Sequence, residues 1–293
     1  MSEPPSHNAR NAEIEKAQYD YTGGVPVARP LAPLISAPSP APEHELLLSS
    51  EPKRAVWVDM GVAILFVVAA DRLTLTLLFT VVALADLSAG LSQPALQRAL
   101  FLPMLMTRTI TVLFVVLAVL HHRGQSLRAI GLAASRIGID ILCGAGAVGA
   151  AFVAILICQY SLLAVWPELF EEMEENAQRI MSAVPRLHNL GLIGVALAVA
   201  VYEEVLFRGF LMPRLRRATN SWTAAVVSSS TVFVALHALD QKPAALLPIA
   251  ILSLTFSLVG VWRLSIIPAI VGHFMFNAGS FLVLSFLAGD TWN

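Results

Sequence analysis

Seven residues in three late segments combine reactive side chains with spacings that bring them onto shared helix faces: Glu203, Glu204, Arg208, Phe233, His237, His273 and Asn277. Each stands inside an apolar run, where an ionisable group costs a few kcal/mol on insertion scales and survives mainly by facing a partner or a wet cavity. Glu204 and Arg208 stand at i and i+4, the spacing of an ion pair on one helix face. Glu203 points about 100° away from Glu204 and has no intrahelical cation, so it is the stronger candidate for a general base. His273 and Asn277 share a face at i and i+4, and Phe233 sets an apolar wall beside His237 by the same spacing.

Depth groups them further. Glu203 lies 11 residues before Arg214, His273 lies 10 after Arg263 and His237 lies 15 after Trp222, which at the helical rise is roughly 16, 15 and 22 Å. All three fall in the middle of a bilayer, and one shared polar cavity is the economical explanation. A carboxylate, two imidazoles and an amide in a low-dielectric pocket can hydrolyse an amide bond, because water needs a base and the tetrahedral oxyanion needs donors. Glu203 with His237 would position and deprotonate the water, while His273 and Asn277 would stabilise the developing charge. The same Glu203, His237 and His273 are also ordinary zinc donors. A metal-free glutamate mechanism and a zinc mechanism therefore stand equally open. The helix that pairs two histidines around a glutamate in common zinc proteases, His-Glu-x-x-His, is absent.

The elements that must position these residues are membrane helices. Of 293 residues 57% are hydrophobic and 13% charged, and the mean hydropathy is +0.72; ordinary soluble domains carry roughly 25% charged residues. A net charge of -1 gives no basic surface for nucleic acid. Apolar runs predict an all-α bundle of about seven spans, at 56–85, 99–120, 139–163, 189–212, 222–239, 244–262 and 264–288. Asp71 and Arg72 interrupt the first, so residues 56–91 read as one span or a broken pair. Gly144, Gly146, Gly149 and Ala150 give the third span a small-residue packing face.

Lys53, Arg54, Arg123, Arg128, Arg136, Arg214, Arg216, Arg217 and Arg263 fall on one side of these spans, while Glu168, Glu171, Glu172, Glu174 and Glu175 fill a loop on the other. Basic loops mark the cytoplasm, which places the N-terminus inside and the acidic loop outside as a solvated amphipathic turn. Residues 1–53, with Pro recurring from Val25 to Pro42, are expected to form a disordered cytoplasmic tail. Residues 54–138 would carry the first helices and an amphipathic connector, and 139–293 the catalytic core. Cys143 and Cys158 are 15 residues apart in one helical run and cannot pair.

The segments Glu203-Glu204-x-x-x-Arg208, Phe233-x-x-x-His237 and His273-x-x-x-Asn277, in that order, resemble the motifs of the CPBP family of intramembrane proteases, which covers CAAX prenyl and bacteriocin-processing (Abi-type) members. Arg123 to Leu132 resembles the family's short connector, and the resemblance runs from about 99 to 288. It implies a helical membrane peptidase entered from the cytoplasmic side, with Glu203 as the catalytic carboxylate, Glu204, Arg208 and Phe233 as structural support, and a membrane-bound peptide or protein as substrate. Two other functions fit the same residues: a non-catalytic scaffold or bacteriocin-immunity protein on this fold, and a proton-coupled transporter, for which no internal repeat is evident.

Overall fold

The computed structural model describes residues 50–84, 93–132, 136–239 and 241–288. The N-terminal tail, the end of the broken-pair question at 85–92 and Asp240 lie outside these residues. Among the described residues the chain is helical throughout. Helix α1 spans Lys53–Leu84, α2 Gln93–His122, α3 Ile137–Leu163, α4 Leu169–Ala183 and α5 Asn189–Glu204. A π-helical segment, Val205–Leu211, joins α5 to α6, Met212–Thr219. Then follow α7 at Trp222–His237, α8 at Pro243–Arg263 and α9 at Ile267–Ala288.

Six of these stretches are long and apolar enough to cross a membrane, and α7 is a shorter apolar helix. The expected fifth crossing is therefore the exception: its 16 residues reach roughly 24 Å, short of a hydrocarbon core of about 30 Å. Residues 53–84 form one unbroken helix, despite Asp71 and Arg72. Asp71 is accommodated by Arg108 of α2, whose Nε and Nη2 donate to its Oδ1 at 3.0 and 2.7 Å. Arg72 is exposed. Neighbouring residues on a helix diverge by about 100°, so Asp71 takes its cation from the next helix instead. Large apolar side chains such as Leu65, Phe66, Leu142 and Phe286 are exposed, which suits a surface bathed in acyl chains.

Helix α9 sits against both α3 and α5, α5 packs on α2, and α8 bridges α3 and α7. The approach of α3 to α9 depends on one glycine. A Cβ on Gly144 would stand 2.5 Å from the Pro268 carbonyl oxygen and 2.8 Å from Val271 Cβ, whereas Gly146 and Gly149 have nothing within 4 Å and Ala150 is exposed. The small-residue face expected at all four positions is thus used at Gly144 alone, because the packed side of α3 continues through Ala151 and Ile155. Gly144→Ala is expected to lower stability by about 1–3 kcal/mol through overpacking. Gly149→Ala should leave it unchanged or raise it by a few tenths of a kcal/mol. Thermal unfolding of the two variants in detergent checks the contrast.

The acidic loop is an ordered helix, α4, with Leu169 and Asn176 buried. It is more than a solvated turn. The first N–H groups of a helix lack internal acceptors, and α4 supplies two for α8: Lys242 N donates to Asn176 Oδ1 at 3.1 Å and Ala244 N to Glu172 Oε2 at 3.3 Å. Lys242 Nζ also reaches Glu175 at 2.7 Å.

The opposite end is clamped by charge. Asp59 of α1 accepts from Arg123 at 2.8 Å and lies 3.9 Å from Arg214 Nε, and Arg263 donates to Asp140 at 2.8 Å. The connector after α2 forms a single 3₁₀ turn, Leu127–Ile130, closed by Gly131 at φ 76°. Gly131 then accepts from Ile266 N at 3.2 Å, which anchors the α8–α9 turn and sets where α9 enters the bundle.

Candidate active site

Helix α5 brings Tyr202, Glu203 and Glu204 into the interior, all buried. Immediately after them the backbone widens into the π-helical segment. Such segments recur at functional sites; here the Phe207 carbonyl accepts from Met212 N and also from the Ser229 hydroxyl of α7 at 3.2 Å. The widened turn carries Arg208 into the core at 2% exposure, where its guanidinium makes four hydrogen bonds. It donates to Glu204 Oε1 at 3.0 Å, to Ser253 O and Oγ at 3.0 and 2.9 Å, and to Ser257 Oγ at 3.3 Å. It also lies 4.6 Å from the centre of the Phe233 ring.

Glu204 has a second partner that its spacing to Arg208 does not reveal. His273 Nδ1 is 2.8 Å from the same Oε1. An ionised carboxylate only accepts, so Nδ1 carries the hydrogen and donates. The other ring nitrogen, Nε2, is 3.8 Å from Glu203 Oε2. One imidazole therefore stands between the two adjacent carboxylates: anchored by the first, open toward the second. The ring is further held by Phe256, stacked at 5.8 Å, and by the edge of Phe233 at 6.3 Å. A Cβ on Gly272 would meet Phe256 at 2.7 Å, so this glycine lets α9 approach closely enough for the stack.

Glu203 is fixed on one side only. The Tyr202 hydroxyl donates to its Oε1 at 2.9 Å, while Oε2 is buried and accepts no hydrogen bond from the described residues. Glu204 Oε2 is likewise buried without a partner. Unpaired buried acceptors are uncommon and call for a reason; at Glu203 the free oxygen faces the open nitrogen of His273.

His237 closes α7. Its Nδ1 is 2.8 Å from the Phe233 carbonyl, which can only accept, so Nδ1 donates and Nε2 is the free nitrogen. Its ring packs on Phe233 at 4.4 Å. The contacts among the described residues link His237 to the centre through Phe233 rather than directly to Glu203. Asn277, one turn beyond His273 on α9, is partly exposed and makes no side-chain hydrogen bond within the described residues. Of the residues expected to meet, Glu203, Glu204, Arg208, Phe233 and His273 form one chain of contacts, His237 joins it through Phe233, and Asn277 makes no side-chain hydrogen bond to any of them.

Tyr202, Ser253, Ser257 and Phe256 were not singled out from the sequence. The two serines stand at i and i+4 in an apolar helix, the one pattern that marks them. The zinc option set aside Glu203, His237 and His273 as ligands. Among the described residues no three His, Cys, Asp or Glu side chains are grouped to hold a metal ion; His273 and His237 each have Nδ1 hydrogen-bonded, which leaves Nε2 as the open nitrogen of both rings.

Residues 185–279 match the family model for the Type II CAAX prenyl endopeptidase Rce1-like domain. The matched stretch runs from before Glu203 to just past Asn277 and supports a CPBP family intramembrane protease, in a multi-pass membrane chain. No curated protein and no solved structure matches the chain.

Proposed function

We propose that this protein is an intramembrane endopeptidase whose water-activating group is Glu203, acting on a membrane-associated peptide or protein, with C-terminally prenylated CAAX-type chains as the first substrates to try. The supporting observation is the asymmetry of one carboxylate. Glu203 is held through Oε1 and left free at Oε2, opposite an imidazole nitrogen 3.8 Å away. That separation admits a reacting atom within about 3 Å of both groups, the geometry such a reaction requires.

Glu203 Oε2 takes a proton from water held with the help of His237 Nε2. The hydroxide adds to the scissile carbonyl carbon, and the oxyanion faces the Asn277 amide N–H and His273 as its imidazolium, which keeps Nδ1–H on Glu204 and turns Nε2–H to the oxyanion. The C–N bond then breaks as Glu203 returns its proton to the leaving amine. Glu204, clamped by Arg208, orients His273 much as a buried carboxylate orients a catalytic imidazole. No step is routed through a metal. The basic residues flanking the spans support a cytoplasmic N-terminus and a site reached from that side.

The test uses the full chain in proteoliposomes with prenylated and unprenylated hydrophobic peptides, read by mass spectrometry. Cleavage of at least one class is expected, and equal cleavage by wild type and Glu203→Ala would defeat the assignment. Absence of any cleavage, with a cellular phenotype intact in Glu203→Ala, would favour a scaffold. Metal analysis runs on the same sample: full activity after chelation is expected, and one equivalent of zinc lost together with activity would displace the metal-free route.

A further inference from the structure

The polar chain around Glu203 does not stop at Tyr202. Tyr202 also lies within interaction range of the Arg108 guanidinium of α2, and Arg108 is in turn held by two hydrogen bonds to Asp71 of α1. The packing around it is consistent: Leu105 and Val112, at i−3 and i+4 from Arg108, belong to the same buried cluster as Tyr202. Asp71 lies 18 residues beyond Lys53 and Arg108 14 residues before His122, roughly 27 and 21 Å into their helices, within the membrane-spanning stretch of each. An ion pair at that depth is costly, and helix association in lipid is ordinarily achieved by small residues and packing alone. Its presence against the one side chain that grips Glu203 asks for a role besides tying α1 to α2.

We propose that Tyr202 is a positioning residue for Glu203, and that the Asp71–Arg108 pair aims its hydroxyl; this rests on Glu203 being the water-activating group. The direction of the chain follows from its donors and acceptors. Arg108 has only N–H donors, so toward Tyr202 it can act on the phenol oxygen only as a donor. That oxygen then has its single hydrogen left for Glu203 Oε1, and the carboxylate is held in the rotation that leaves Oε2 toward His273. Asp71 keeps the guanidinium in place and neutralises it. Three helices, α1, α2 and α5, thus each contribute one link, and the first two helices of the bundle are coupled to the site without touching substrate.

Four variants of the full chain decide it, each assayed for peptide hydrolysis and by infrared difference spectroscopy. The carboxyl band that disappears in Glu203→Gln identifies Glu203 and needs no substrate. Tyr202→Phe is expected to shift that band and to lower kcat about ten- to a hundredfold, the weight of one hydrogen bond to a charged group, with KM changed less than about twofold. The charge-swapped pair Asp71→Arg with Arg108→Asp restores the tie between α1 and α2 but turns an acceptor toward Tyr202. It is expected to unfold like wild type yet keep the low kcat of Tyr202→Phe. Arg108→Lys, which keeps the charge and loses the planar fork, should fall between. An unshifted band and full kcat in Tyr202→Phe would overturn the proposal, as would recovery of kcat together with stability in the swapped pair. Activity retained in Glu203→Gln would instead bring down the catalytic reading itself, and the positioning role with it.

Discussion

Glu203→Gln is expected to reduce kcat by about 10²- to 10⁴-fold, the usual weight of a positioned acid–base group, without a measurable change in unfolding temperature. The amide is nearly isosteric with the carboxylate, and its oxygen can still accept from the Tyr202 hydroxyl, which donates to Oε1 at 2.9 Å. What disappears is the free Oε2, the buried acceptor opposite His273 Nε2. Glu203→Asp probes distance rather than charge. Withdrawing the carboxylate by one methylene moves it away from both Tyr202 and His273, so it should lose most of the same activity. Turnover measured under substrate saturation in proteoliposomes, with thermal unfolding as the control, checks both. A Gln variant within tenfold of wild type would remove Glu203 from the mechanism.

Arg208→Met is expected to be the most destabilising single substitution in the site, by about 3–5 kcal/mol, because it strands a buried carboxylate without its cation. Glu204 is fully buried, and its Oε1 accepts from Arg208 at 3.0 Å. The loss spreads: Ser253 and Ser257 lose a donor, and Phe233 loses the guanidinium that covers its ring. The double variant Arg208→Met with Glu204→Gln should be more stable than Arg208→Met alone, since the uncompensated charge goes with its partner. Both should be nearly inactive, because each disturbs the Oε1 contact that anchors His273 Nδ1 at 2.8 Å. Thermal unfolding in detergent separates the two effects, and a single variant no less stable than the double would contradict the buried-pair account.

Much of the fold was legible because lipid imposes a simple rule: spanning helices must satisfy their own backbone and expose apolar side chains, and the run lengths alone place the bounds of six long helices closely, though the run expected to end at 212 continues to Thr219. The exception is instructive. Residues 222–239 read as a seventh full crossing, yet α7 ends at His237 after 16 residues. Hydropathy measures composition rather than helix length, and α7 is as apolar as a spanning helix, with Val227, Val232 and Leu236 exposed on its outer side. Asp71 was legible as an anomaly but not as a pair, since its partner is 37 residues away.

In the site, local spacing was enough for the pairs on one helix. Glu204 with Arg208, and Phe233 beside His237, follow from 3.6 residues per turn. The assignment of Glu203 as the unpaired carboxylate and the shared depth of Glu203 and His273 came from the same arithmetic. Only the tertiary structure decided that His273 stands between both carboxylates, that Tyr202 grips Glu203, and that Gly144 and Gly272 set how near α9 approaches. Those contacts depend on the rotation and separation of helices far apart along the chain. Hydropathy and helical period fix which face of a helix is apolar, but the angle and height at which two faces meet are set by packing between them.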